Sequence, residues 1–376
     1  MLETEFHPWT RGKWMLRCVD IRPETHDVKT FSFRTEHNGK PVLFLHKPGQ
    51  FVTIRLAHEG QLVPRSYTIA SSPSQPFTLQ MTTKRDPNGL VSRFMHDHFS
   101  VGDLLPVYGP GGHFNFFDVK PRKDVLMLSG GSGITPLMSM LRYLSDTCDR
   151  DHRITFLHAA RTPDDIIFRK ELELIAARTG TTIGFICQSD AEEGMDQGFL
   201  TSDILSSRVP GLLDHTVLCC GPAPFMNAVK SILREAEFDF AHYHEESFGT
   251  TSERNNPASA TPATLTMAEA PPAAASAETG VAPSVEAQLA GNMIIFANSG
   301  RQVEYTPGET ILDIASREGI AIPTNCQMGL CGTCKTGCSS GLVVMDEEEG
   351  LTDADRENGL VLTCCGRPHG AVTMDL

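Results

Sequence analysis

The 376-residue chain has no run near the ~18 consecutive apolar residues that a membrane span needs. Met1-Leu2-Glu3-Thr4-Glu5-Phe6 shows no basic stretch followed by an apolar one, and no internal repeat is visible. No spanning helix, secretory leader or repeat array is expected, and the chain reads as a soluble, cytoplasmic protein. Cations are scarce as well: 32 Lys and Arg face 46 Asp and Glu, for a formal net charge of -14. Phosphate backbones are held by clustered Lys and Arg, so the acidic surplus argues against nucleic acid as the main partner. With no leader, the 11 cysteines read as metal ligands and buried thiols rather than disulfides. Cys18, Cys148, Cys187 and Cys338 carry no motif and read as filler.

What is present begins with four cysteines. Cys326, Cys331 and Cys334 are separated by four and two residues, and Cys364 follows after 29 more. Three thiols on one loop and a fourth from a later segment match plant-type 2Fe-2S ligation. Thiolates suit iron because they are soft, anionic donors. A structural zinc site would present a second CxxC pair, which is missing.

The length exceeds what one hydrophobic core supports, so two or three domains are expected. Residues 250–289, rich in Thr, Ser, Ala and Pro, have no apolar periodicity and read as a linker. About 40 such residues span on the order of 35 Å root-mean-square. Before it, runs such as Phe51-Val52-Thr53-Ile54-Arg55-Leu56 and Phe77-Thr78-Leu79-Gln80-Met81 alternate with turn residues, predicting an antiparallel β-barrel over 1–118. Over 119–249, short apolar runs at 125–128, 154–157 and 217–220 alternate with helical stretches at 137–144 and 171–177, predicting an α/β domain with a parallel sheet. Residues 290–376 remain for the cysteine-bearing domain. From residue 291 onward five basic residues face twelve acidic ones, the densest run being Asp346-Glu347-Glu348-Glu349. That surplus reads either as a solvated face or as steering toward a basic partner.

Three segments carry candidate chemistry. Gly130-Gly131-Ser132-Gly133-Ile134-Thr135-Pro136 follows a predicted strand and opens a helix, where free backbone N–H groups and the helix dipole receive a pyrophosphate. Arg65-Ser66-Tyr67-Thr68 offers a guanidinium for phosphate, an aromatic face for a flat ring and a hydroxyl for a ring nitrogen. Gly89-Leu90-Val91-Ser92 presents turn N–H groups and a hydroxyl. Each alone also fits an ordinary turn or strand.

Together they resemble the ferredoxin-NAD(P)+ reductase superfamily, in which an RxYT/S strand and a GxVS turn hold flavin while a GGxGITP loop and a CGP strand end hold nicotinamide nucleotide. A flavin barrel, a nucleotide domain and a C-terminal α+β plant-type ferredoxin (β-grasp) domain are similar in order to the one-chain reductase components of Rieske-type oxygenases. Tyr243-His244-Glu245-Glu246-Ser247-Phe248 and Thr363-Cys364-Cys365-Gly366 are especially similar to reductases of glycine betaine and related quaternary-amine monooxygenases. Hybrid-cluster-protein reductases and phthalate-type reductases share the combination.

The resemblance implies Arg65 and Ser66 at the flavin phosphates, Tyr67 on the isoalloxazine, Thr68 near its reactive nitrogen, and Gly89, Val91 and Ser92 at the pyrophosphate. It implies Gly130, Gly131, Gly133, Thr135 and Pro136 around the nucleotide. Cys220 of Cys220-Gly221-Pro222 is implied beside the hydride-bearing carbon, and Glu246 and Phe248 over the other flavin face. Cys326, Cys331, Cys334 and Cys364 become the cluster ligands, Cys365 being set aside because Cys364 stands three before Arg367. The implied cofactors are FAD rather than FMN, NADH and a 2Fe-2S cluster. The implied partner is a terminal Rieske-type oxygenase that demethylates glycine betaine, carnitine or stachydrine. Arg161 suits a 2'-phosphate whereas Asp164 and Asp165 repel one, and the resemblance tips the expectation to NADH.

Overall fold

The computed structural model describes residues 12–37, 40–58, 61–248, 266–267, 292–324, 329, 332–345, 348 and 350–376. They fall into two compact units, the first of Met1–Val63 and Tyr67–Ala268, the second of Glu269–Leu376 with which the short segment Pro64–Ser66 is grouped. Among the described residues no helix is long and apolar enough to cross a membrane.

The first unit opens with β1 (Gly12–Pro23), β2 (Val28–His37), β3 (Lys40–Pro41), β4 (Phe51–His58), β5 (Gln61–Thr68) and β6 (Thr78–Lys84), then helix α1 (Leu90–Asp97) and β7 (Leu104–Gly111). The strands are hydrogen-bonded in the order β5-β4-β7-β1-β2-β6. An antiparallel bridge between Ile69 and Met81 and the 2.8 Å bond from Ala70 N to Gln80 O link the β5 end of the sheet to β6, curling it toward a barrel. Side chains two apart share a face of a strand, and here Phe31 and Phe33, Ile54 and Leu56, Leu79 and Met81, and Leu105 and Val107 all point into one core. Each fully buried side chain of this size contributes about 2 kcal/mol. Leu90, Val91 and Met95 of α1 join the same core.

After α2 (Phe116–Val119) the pattern becomes β8 (Asp124–Gly130), α3 (Ile134–Asp146), β9 (Arg153–Ala160), α4 (Arg169–Thr179), β10 (Thr182–Cys187), β11 (Asp196–Gln197), α5 (Ser202–Arg208), β12 (Thr216–Cys220), α6 (Ala223–Glu235) and β13 (Tyr243–Glu246). The strands lie in the order β11-β10-β9-β8-β12-β13, every neighbouring pair parallel. The chain works outward from β8 through β9 to β11, then crosses back to place β12 on the other flank of β8. That reversal is a topological switch point, and ligands of open α/β sheets bind at the carboxyl ends of the strands beside it. One sheet face packs on α3 and α4, the other on α5 and α6.

Arg142 of α3 fastens the barrel to this sheet. Its guanidinium donates to the Ala70 carbonyl at 2.6 Å, grips Glu171 through two 2.7 Å bonds, and lies 4.7 Å over the Phe168 ring. Such a bidentate pair has fixed geometry, so the strand end after Thr68 is held against α3.

In the second unit, β15 (Met293–Phe296), β16 (Arg301–Glu304), β17 (Lys335–Met345), β18 (Leu360–Leu362) and β19 (Gly366–Met374) form a sheet ordered β16-β15-β19-β17-β18. β15 and β19 pair in parallel and the other neighbours antiparallel, the mixed pattern of a β-grasp. Helix α7 (Ile311–Arg317) starts with a capping box between Thr310 and Asp313 and buries Ile311, Ile314 and Ala315 on the sheet. A short α8 (Asp353–Glu357) precedes β18.

Barrel, parallel sheet and β-grasp therefore occur in the expected order, and the strands expected at 51–56, 125–128, 154–157 and 217–220 are β4, β8, β9 and β12. Gly89-Leu90-Val91-Ser92, expected as a turn, instead opens α1, because Leu90 and Val91 are drawn into the barrel core. The linker expected at 250–289 lies outside the described residues except for Thr266–Met267, a two-residue β14 paired antiparallel with Ala57 and Leu56 of β4.

Candidate active site and cluster site

The expected nucleotide loop and the Cys-Gly-Pro strand end are brought together at the switch point. Gly130 ends β8, Gly131 to Gly133 form a single tight turn, and α3 begins at Ile134 with Thr135 and Pro136 in its first turn. No side chain caps α3 and no acid sits in its first turn, so its leading N–H groups keep their affinity for an anion. Cys220 ends β12, and Gly221 and Pro222 lead into α6. A Cβ on Gly133 would stand 2.4 Å from the Cys220 carbonyl oxygen and 2.6 Å from Gly221 Cα, so only glycine lets the two loops meet. Gly131 serves differently: its φ is +51° and nothing lies within 4 Å of its missing Cβ.

Parallel pairing sets Glu246 opposite Cys220, Cys220 opposite Ser129, and Ser129 opposite His158. The row crosses β13, β12, β8 and β9 on the sheet face that carries α3. Strand alternation separates the two adjacent cysteines, with Cys220 on this face and Cys219 on the α5 and α6 side. Burial, and then the nearby Glu246, push the Cys220 thiol well up, so it stays a neutral thiol. Ser129 Oγ lies 2.7 Å from His158 Nδ1; burial pushes this imidazole down to about 3, so it is neutral too. His158 Nε2 has no hydrogen-bond partner among the described residues. Ser129 and His158 escape sequence reading, since 29 residues separate them and only the strand register makes them neighbours.

Glu246 as a residue is only partly buried, yet its Oε2 is shut off from solvent and lacks a hydrogen-bond partner among the described residues. Burial pushes its carboxyl from an ordinary 4.5 up to about 8, so at neutral pH it holds a proton. A carboxyl raised in the native state favours folding fully below about 4.5 and loses that advantage as pH rises through about 8. The melting temperature should therefore fall between pH 4.5 and 8. Glu246→Gln should flatten the decline in calorimetry; an unchanged slope would exclude a neutral Glu246. Phe248, two residues on, is 43% exposed.

The expected flavin residues sit on the barrel. Arg65, Ser66, Tyr67 and Thr68 form the second half of β5. Arg65 donates to the Pro64 carbonyl at 2.7 Å and has no ion pair among the described residues, which leaves its charge available to a phosphate. Tyr67 leans on the barrel core and Thr68 is buried beside the Ile69–Met81 bridge. Gly89 is the N-cap of α1 without a side-chain cap, so Leu90, Val91 and Ser92 offer backbone N–H groups. Val91 contributes only backbone because its side chain is core, and the Ser92 hydroxyl is engaged by Asp86 N at 3.2 Å and Gly89 O at 3.3 Å.

In the second unit Cys334 and Cys364 are buried beside each other, each 2% exposed. Gly329 N donates to Cys364 Sγ at 3.3 Å, and Thr363 N and Oγ1 both donate to the Cys334 carbonyl, at 3.3 and 3.1 Å. Their shared hydrogen bond and burial push the Cys334 thiol up; at Cys364 the same hydrogen bond lowers the thiol, but the neighbouring Cys365 thiol and burial outweigh it and raise the group on balance. Two buried thiols of this kind ionise readily only against a cation, which fits a metal cluster. Cys365 turns its thiol back to the Leu362 carbonyl at 3.7 Å. Cys326 and Cys331 lie outside the described residues.

Comparison with known proteins supplies three family matches. An oxidoreductase FAD-binding domain matches residues 16–116, an oxidoreductase NAD-binding domain 127–231, and a 2Fe-2S iron-sulfur cluster binding domain 294–369. The chain is 42% identical to a glycine betaine monooxygenase reductase subunit of Chromohalobacter salexigens, covering 100% of both chains. It is 35% identical to a stachydrine N-demethylase reductase subunit of Rhizobium meliloti, covering 96% of each. Among solved structures, phthalate dioxygenase reductase aligns with a TM-score of 0.54 at 22% identity, over 97% of this chain and 98% of that one, a likeness of fold.

Proposed function

Because the chain belongs to the family of monooxygenase reductase subunits that join FAD-binding, NAD-binding and 2Fe-2S cluster-binding domains, we propose that it draws electrons from NADH for a Rieske-type monooxygenase that demethylates a quaternary amine. Glycine betaine, carnitine and stachydrine are the candidate amines, and the cytoplasm is where the pair would work. Bound FAD and a 2Fe-2S cluster supply the conversion of a two-electron hydride into single electrons.

The residues have separate tasks in this reading. Arg65 and the α1 N-terminus, from Gly89 to Ser92, hold the flavin phosphates by charge and by N–H donation. Tyr67 presents a flat face to the ring system and Thr68 a hydroxyl to its edge. Gly130, Gly131, Gly133, Thr135 and Pro136 shape the loop that takes the dinucleotide pyrophosphate. Cys220, Gly221 and Pro222 border the nicotinamide with an uncharged thiol, and Glu246 stands beside Cys220 with its proton retained at neutral pH. Two neutral groups on one face place no fixed charge beside the position where the hydride is transferred. Phe248 supplies the ring that covers the remaining face. Cys334 and Cys364, with Cys326 and Cys331, ligate the cluster, and the segment at 250–289 tethers it.

The buried Cys334 and Cys364 pair carries the proposal, because a dinucleotide site that only passed hydride to flavin has no use for a thiolate cage in the same chain. Reconstitution tests it: with NADH and the partner oxygenase, demethylation of one amine should consume NADH stoichiometrically. Electron delivery to a hybrid-cluster protein alone, with no oxygenase turnover, would refute it.

A further inference from the structure

Beyond the glycine loop, the same cleft, about 510 Å³, is lined by four charged side chains: Asp27 and Lys84 from the barrel, Arg161 and Asp165 from the sheet. In open α/β sheets the residue after the second strand meets the 2' position of the adenosine ribose, and an arginine there accommodates a 2'-phosphate. Arg161 is that residue, the first after β9. Its guanidinium is already claimed: Nη2 lies 3.5 Å from Asp27 Oδ2 and 3.5 Å from Asp165 Oδ1. Lys84 Nζ reaches the same Asp27 oxygen at 3.2 Å, and His26 touches both carboxylates, at 3.6 and 3.5 Å. Hydroxyls fix the two acids in place, Thr25 on Asp27 at 3.1 Å and Thr162 on Asp165 at 3.0 Å. Burial alone would raise the Asp27 carboxyl, but Lys84, Thr25 and His26 outweigh it and hold the group below its usual value, hence ionised.

Two cations and two carboxylates cancel along this lining. A 2'-phosphate brings about −1.5 to −2 charges and would have to displace a carboxylate from Arg161 to be held. The 2'-hydroxyl of NADH needs only an acceptor, which a carboxylate provides. Asp164, beside Asp165 in sequence, is exposed and outside the lining, so the repulsion read from the Asp164-Asp165 pair belongs to Asp165 and to Asp27.

We propose that Asp27, contributed by the barrel from the turn between β1 and β2, is a specificity-determining residue for NADH over NADPH, acting by occupying Arg161 so that its guanidinium is not free to take a 2'-phosphate. The inference rests on the cleft being the dinucleotide site. Steady-state reduction of the flavin-loaded protein by NADH and by NADPH tests it. Asp27→Asn should raise the ratio of kcat/KM for NADPH to that for NADH about tenfold, as removal of one partly screened charge beside a phosphate does. Asp165→Asn should move the ratio the same way, and Asp164→Asn should leave it in place. In Asp27→Asn/Arg161→Ala the gain should vanish, since its receptor is gone. An unchanged ratio in Asp27→Asn, an equal rise in Asp164→Asn, or a gain that survives loss of Arg161 would overturn the proposal. A wild-type flavin that neither dinucleotide reduces would overturn the cleft assignment itself.

Discussion

Cys364→Ser is expected to abolish the visible absorbance of the cluster and to cut electron delivery to a one-electron acceptor by on the order of 10³-fold, because a hydroxyl replaces a soft anionic donor. Reduction of the flavin by NADH should stay within about twofold, since the glycine loop and the Cys220 strand end belong to the other compact unit. The discriminating control is the adjacent Cys365→Ser. Both thiols are 2% exposed, but Cys364 receives Gly329 N–H and meets Cys334, while Cys365 touches Cys364 and donates back to the Leu362 carbonyl in its own turn. Cys365→Ser should therefore retain the cluster. Anaerobic absorbance spectra with iron and sulfide assays decide the matter, and a colourless Cys365→Ser beside a coloured Cys364→Ser would reverse the ligand assignment.

Gly133→Ala should produce the largest effect in the first unit. The new methyl would press on backbone atoms at 2.4 and 2.6 Å, which cannot rotate aside as a side chain would. The glycine loop and the Cys220 strand end must separate, at a cost of about 3 kcal/mol or more. A shift of that kind at the proposed hydride site lowers the rate of flavin reduction by on the order of 10²-fold. Gly131→Ala is a contrasting case, with open space around it and only the strain of its positive φ, about 1–2 kcal/mol. It should raise the KM for NADH with little loss of kcat. Rapid-mixing kinetics and thermal melts separate the two, and equal behaviour would mean that the close approach of the loops has no bearing on catalysis.

What the sequence made legible was what lies within a few consecutive residues. The barrel strands show a period of two, the β8 to α3 junction is punctuated by glycines, and the cysteine spacing is a short-range pattern that survives without any knowledge of the fold. Features that depend on register were not legible. Glu246 lies opposite Cys220 only because β12 and β13 pair in parallel, and His158 meets Ser129 for the same reason across β8 and β9. Nothing local marks Arg142, one charged residue in a helix, as the link to Ala70. Asp27 sits in an ordinary hairpin turn, and its bearing on Arg161 emerges only where barrel and sheet share a cleft. In the sequence the start of α1 reads as a turn because Gly89 is a breaker, whereas burial of Leu90, Val91 and Met95 makes it a helix N-terminus.

The central claim is that one chain takes hydride at the β8 and β12 strand ends and releases single electrons at Cys334 and Cys364. Anaerobic rapid mixing of the FAD- and cluster-loaded protein with NADH, followed across the visible spectrum, tests it most directly. Bleaching of the flavin band followed by bleaching of the broader iron-sulfur absorbance is the predicted sequence. Flavin reduction with the cluster absorbance untouched, or purified protein without inorganic sulfide, would contradict it.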